Sequence, residues 1–213
     1  MYLERQKGAR ALDSVLASYR ERLLAPVPGG RTMESVGPII WGFRLTSSQT
    51  PDAWEKITYG KGSWIIHMLR ARLGDAQFLR MLADLLQQHR HQAITTEQFR
   101  LFAARYTPKE TPDASLEAFF ESWVYGTGIP TLRLQSSSRG RAPAVRVTVS
   151  VRQTGVYQDF SALVPVEIQF KGAKSQIHWI RADSDPAPTV LTLKQAPLRV
   201  ALDPYGAVLA VKR

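Results

Sequence analysis

A chain of 213 residues with 44% hydrophobic side chains can bury one or two cores, and no apolar run in it approaches the ~20 residues that span a bilayer. It contains no cysteine, which excludes disulfides and thiolate metal centres. The net charge of +10 is unevenly spread, with 16 Lys and Arg against 13 Asp and Glu up to Pro130 and 12 against 5 beyond it.

The first part has a helical period. Leu12, Val15, Leu16, Tyr19 and Leu23 form one stripe, so a helix is expected from Tyr2 to Leu24, stopped by Pro26 and Pro28-Gly29-Gly30. A long connection rich in Pro, Gly, Ser and Thr follows up to Pro51, either ordered by packing against a neighbour or mobile. From Ala53 the helical period returns, with Trp64, Ile65, Met68, Leu69 and Leu73 on one face and Gly74-Asp75 as a stop and restart. Phe78, Leu79, Leu82, Leu85 and Leu86 mark the next helix. Thr95 or Thr96, followed by Glu97 and Gln98, caps a short helix through Phe99 and Phe102. Ser115 is expected to cap another, which carries Leu116, Phe119, Phe120, Trp123 and Val124 and closes at Gly126, Gly128 and Pro130.

Beyond Pro130 the period becomes two. Val145, Val147, Val149 and Val151 alternate with Arg146, Thr148, Ser150 and Arg152, the pattern of a strand with one wet face. Further strands are expected over 131–134, 160–170, 176–182, 189–193, 198–202 and 207–211, separated by short turns such as Lys171-Gly172 and Asp203-Pro204-Tyr205-Gly206. About seven strands at this spacing read as a β-sandwich of immunoglobulin-like or fibronectin-like architecture. The fold class is therefore α+β, with a helical domain over 1–130 and a β-sandwich over 131–213. The basic excess of the second domain is scattered, without a dense run or a nucleic-acid motif, so it reads as a solvated basic face and no nucleic-acid partner is expected.

Candidates for chemistry are few. A hydrolytic zinc centre needs about three protein ligands and an open position. No H-E-x-x-H occurs, and the histidines are His67 on a helix, His89 and His91 as an H-x-H at a helix end, and His178 among the strands. His89 and His91 read as packing or solvent-facing residues, with a metal pair as the alternative. There is no G-x-S-x-G elbow and no phosphate-binding glycine loop, since Gly126-Thr127-Gly128-Ile129-Pro130 follows a helix and ends in proline. Glu55 near Tyr59, and Glu117 with Glu121, have the spacing of an ordinary wet helix face. Trp64, Phe119, Phe120 and Trp123 read as core.

Four segments carry a family likeness. They are Tyr59-Gly60-Lys61-Gly62 with the apolar helix after it, Leu73-Gly74-Asp75-Ala76-Gln77-Phe78, Ile94-Thr95-Thr96-Glu97-Gln98-Phe99, and Leu116 to Trp123 with Gly128-Ile129-Pro130. In this order they resemble the rear, helical part of the catalytic domain of gluzincin zinc aminopeptidases of the aminopeptidase N and leukotriene hydrolase type. The resemblance implies a thermolysin-like helical half-domain followed by an accessory β-sandwich. It implies a parent that removes amino-terminal residues from peptides, with zinc as its cofactor. The zinc ligands and general base match no positions here, so the chain by itself is expected to bind no metal or other cofactor and to be inactive. Tyr59 matches the family tyrosine whose hydroxyl stabilises the tetrahedral intermediate, the one catalytic residue carried over; outside that likeness it is a loop or helix-start aromatic. Met1 to Gly8 resembles residues that follow the third zinc ligand, so Met1 is expected to be internal to a longer protein. The upstream half of the peptidase domain is the expected partner, and peptides the expected substrates. The alternative is a stand-alone, non-enzymatic binding module acting through the basic β-sandwich.

Overall fold

The computed structural model describes residues 1–213, which divide into two compact units, Met1–Gly128 and Ile129–Arg213. The fold is α+β: the first unit is helical apart from one short hairpin, and the second is built of β-sheets.

The first unit opens with two helices where the apolar stripe suggested one. Helix α1 (Tyr2–Lys7) and helix α2 (Ala9–Leu24) are separated at Gly8, whose φ of 83° lies where a side chain is strained. The expected helix ran across Gly8 because periodicity does not register a single backbone dihedral. Helix α2 buries Leu16 and Leu23, and the Leu16 carbonyl accepts a hydrogen bond from the Trp64 indole at 2.9 Å.

The connection after α2 is ordered through local structure. Strands β1 (Pro26–Val27) and β2 (Arg31–Thr32) pair across a turn in which Gly29 and Gly30 both take positive φ. Two 3-10 segments follow, Glu34–Val36 and Ile39–Leu45, the latter broken at Gly42. At Gly37 between them an added Cβ would lie 2.5 Å from the Trp41 ring and 2.9 Å from Leu45, so these side chains would have to shift.

Helix α3 (Ala53–Glu55) runs without interruption into a π-helical turn, Lys56–Lys61, and then into α4 (Gly62–Leu73). Gly74, with φ 74°, separates α4 from α5 (Asp75–Gln88). Helix α6 (Thr96–Ala104) begins with the capping box that Thr95 and Gln98 announce. Helix α7 (Glu117–Phe120) passes into a second π-helical turn, Glu121–Tyr125. Its cap differs from the serine expected. The Asp113 carboxylate accepts from the Ala118 and Phe119 amides at 3.0 and 3.1 Å, while the Ser115 hydroxyl accepts only from Glu117 at 3.4 Å. The carboxylate is the stronger acceptor and is held by Arg72 at 3.2 Å. Leu23, Leu45, Ile57, Leu69, Met81, Phe102, Phe120 and Trp123 form the dry centre of this unit.

The second unit has strands β3 (Thr131–Arg139), β4 (Val145–Thr154), β5 (Ala162–Gln169), β6 (Gln176–Ala182), β7 (Thr189–Leu193), β8 (Arg199–Leu202) and β9 (Val211–Lys212). They form a four-stranded sheet in the order β7-β4-β3-β9 and a three-stranded sheet in the order β6-β5-β8. The valines at 145, 147, 149 and 151 are buried, as the alternation dictates, and Val164, Val166 and Ile168 of β5 are buried as well. Strand β3 runs five residues beyond the apolar segment at its start, because Gln135 to Arg139 pair with Arg146 to Ser150 of β4 although nothing apolar marks them. Conversely, most of the run 207–211 is extended only at its end, where β9 pairs parallel to β3. The preceding turn is fixed by buried Asp203, which accepts from the Ala207 and Val208 amides at 2.6 and 3.3 Å and lies 3.1 Å from the Lys212 ammonium. Burial holds the Asp203 carboxyl above the usual range despite that cation.

Candidate functional site

The segment Ile57 to Gly62 contains a β-branched pair and two glycines, residues that favour the regular α-helix least. It adopts the wider π geometry, in which hydrogen bonds span five residues. Gly60 lies close to α2, where an added Cβ would touch Leu23 at 3.7 Å and Tyr19 at 3.8 Å. Within this one turn the side chains diverge sharply. Ile57, Gly60 and Lys61 are buried, whereas Tyr59 is 58% exposed.

Tyr59 is one end of an aromatic row. Its ring meets Trp54 edge-on at 5.9 Å, and Trp54 stacks on Phe43 at 4.4 Å. Phe43 is 75% exposed. Nearby, Ile39, Ile40, Ile65, Ile66, Phe99 and Val124 line an apolar hollow of about 240 Å³.

Beneath the turn lies a buried ion pair. The Lys61 ammonium is 2.7 Å from Glu34 Oε1, with side-chain exposures of 0% and 1%, and it donates to the Gly126 carbonyl at 2.9 Å. The Gly128 amide in turn donates to both Glu34 oxygens, at 2.9 and 2.8 Å. Desolvation pulls the Lys61 pKa down, and the attraction of Glu34 opposes it. One pair thus ties the first 3-10 segment, the first π turn and the chain leaving the second π turn.

The other sequence candidates lie elsewhere. Trp64, Phe119, Phe120 and Trp123 are buried in the helical core. His67 packs edge-on against Trp64 at 5.6 Å, and His89 against Phe102 at 5.8 Å. His91 has a φ of 60°, and His178 on β6 is held below the usual histidine range by burial. Glu55, Glu117 and Glu121 are all exposed, as wet helix faces require, and Glu117 is 3.7 Å from Arg100. No three His, Asp or Glu side chains lie close enough together to hold a metal ion. The donors of this chain therefore do not fit a hydrolytic zinc centre, which requires about three.

Sequence reasoning singled out Tyr59 but gave no role to Glu34. That residue sits in a non-periodic segment, and a lone acid flanked by Met33 and Ser35 carries no pattern that marks burial. Lys61 stood inside the quoted motif, yet its partner lies 27 positions upstream and only the fold brings the two together.

Residues 32–123 match the peptidase family M1 domain, a span that contains Glu34, Tyr59 and Lys61. The crystal structure of Legionella pneumophila aminopeptidase A in complex with aspartic acid is similar in fold, with a TM-score of 0.53 and 15% identity. The alignment covers 80% of this chain and 18% of that one, so the chain spans under a fifth of that protein's length. No curated protein matches the chain significantly. From Thr32 to Trp123, the helical unit is similar to the peptidase family M1 domain.

Proposed function

We propose that this chain is the rear, helical portion of a zinc aminopeptidase of the gluzincin type, followed by an accessory β-sandwich of immunoglobulin-like or fibronectin-like architecture. Its contribution to peptide hydrolysis is Tyr59. The observation that carries the reading is the exposed phenol on a π turn, inside the span that matches the peptidase domain. A hydroxyl held there donates a hydrogen bond to the oxygen of a tetrahedral intermediate, a bond that strengthens as negative charge develops. Zinc ligands and general base are not among the residues of this chain, so it turns over no substrate alone. Peptides are the substrates and the ligand-bearing half of the domain is the partner in this reading.

The test has two parts. The purified chain is incubated with aminoacyl p-nitroanilides, with and without added zinc, and no turnover is expected; chelator-sensitive hydrolysis by the chain overturns the proposal. In a peptidase that joins this segment to the ligand-bearing half, Tyr59→Phe is expected to lower kcat by roughly 10²–10³ with little change in KM. A loss confined to KM counts against the assigned role.

One observation favours the second reading, a binding module acting through its basic β surface. The register of β3 and β4 sets Arg133 opposite Arg152 and Arg139 opposite Arg146. Like charges in register repel across a ladder, and an anionic partner would relieve them. Salt-sensitive retention of the chain on a polyanion, lost when Arg133 and Arg139 become Gln, would support this reading, and indifference to salt would remove it.

A further inference from the structure

A π turn contains one residue more than the α-helical turn it replaces, and relaxing it rotates the preceding side chains by about 100° relative to the helix that follows. Tyr59 lies within such a turn, so the direction of its hydroxyl depends on whatever prevents that relaxation. The last residue of the turn is Lys61, and its ammonium is fixed from two sides, by Glu34 in the first 3-10 segment and by the Gly126 carbonyl just past the second π turn. Glu34 is fixed independently by the Gly128 amide. A buried pair of this kind contributes little net stability, because desolvation offsets the attraction; its best-attested effect is to select one geometry among close alternatives.

We infer that Glu34 and Lys61 are positioning residues for Tyr59: the buried pair locks the Lys56–Lys61 turn in its π form and so sets where the phenol points. The inference rests on the reading of Tyr59 as a functional donor, but its test requires no turnover. The Trp54 ring, edge-on to Tyr59 at 5.9 Å, supplies a reporter, since its ring current displaces the Tyr59 ring signals.

The experiment is NMR of the whole chain labelled with ring-¹³C tyrosine. Tyr59→Phe assigns the signal among the seven tyrosines, and Trp54→Leu gives its position without the ring current. Lys61→Met and Glu34→Gln are expected to move the Tyr59 signal toward the Trp54→Leu position. Leu69→Ala, which opens a cavity in α4 without touching the pair, is expected to leave it in place. The apolar pair Glu34→Leu with Lys61→Met strands no charge and is measured alongside, so that unfolding of a single variant does not decide the matter. A wild-type Tyr59 signal in a folded variant lacking the pair overturns the inference, as does an equal displacement in Leu69→Ala. If Tyr59→Phe leaves a complete peptidase fully active, the catalytic reading fails while the displacement stands. If the displacement is absent while Tyr59→Phe abolishes turnover, only the positioning role fails.

Discussion

Removing one member of the Glu34–Lys61 pair is the most informative perturbation of stability. Lys61→Met leaves the Glu34 carboxylate buried at 1% exposure with its cation gone, a change that costs about 3–5 kcal/mol in comparable sites. Converting both residues, Glu34→Leu with Lys61→Met, leaves no charge behind but deprives the Gly128 amide of its acceptor. An orphaned backbone group costs about 1–3 kcal/mol, and the lower end applies because Gly128 is only half-buried. The Gly126 carbonyl loses its donor in both variants and cancels from the comparison. The double variant is therefore expected to be more stable than Lys61→Met by about 2–4 kcal/mol, although it departs further from the natural sequence. Urea unfolding followed by circular dichroism at 222 nm reads the helical unit, where 2 kcal/mol corresponds to a midpoint difference of about 1 M. A double variant no more stable than the single one would refute the reasoning, because the cost would then lie in lost contacts and not in a stranded charge.

Two further outcomes are expected. Gly37→Ala drives a methyl group to 2.5 Å from the Trp41 ring and is expected to destabilise the chain by about 1–3 kcal/mol through overpacking; an unchanged thermal midpoint would contradict the close approach. Glu167 is held below the usual carboxylate range by hydrogen bonds, chiefly from Ser175, then Gln169 and Tyr205. Its folded value lies below the unfolded 4.5, so its contribution is present above pH 4.5 and is lost as pH falls through the folded value. Glu167→Gln is expected to flatten the loss of stability in that acid window, read by the fluorescence of Trp179, the only tryptophan of the β unit. An unchanged acid slope would remove Glu167 as its source.

How much of this was legible in the sequence varies with the kind of interaction. Strand β4 and helix α4 could be placed from residue order because one face of each is apolar at a fixed period, and burial follows period. The Thr95 cap was legible because a capping box is local, with donor and acceptor three residues apart. The cap of α7 was misplaced by two positions, since Asp113 acts through a turn in which Leu116 takes a left-handed conformation that no pattern announces. The π turns left no periodic trace, and a one-residue insertion within an apolar helix looks like ordinary drift of its stripe. At the site, Tyr59 came from a motif, whereas its support came from the fold. Glu34 and Lys61 are 27 positions apart, and neither residue type predicts burial on its own.

The arrangement around Tyr59 reverses what stability alone favours. A phenol and two further aromatic rings, which lose least by being buried, stand in a row that includes Phe43 at 75% exposure. Two charged groups, which lose most by being buried, are fully dry, one of them in the same turn as Tyr59. Natural sequences depart from such local consistency mainly where a geometry is required for function. The same turn also departs from α-helical geometry. Three departures at one place, an aromatic row exposed at both ends, a dry ion pair and a π turn, are what the proposed role of Tyr59 as an outward-facing donor would require. Neither the apolar core nor the capping of the helices requires any of them.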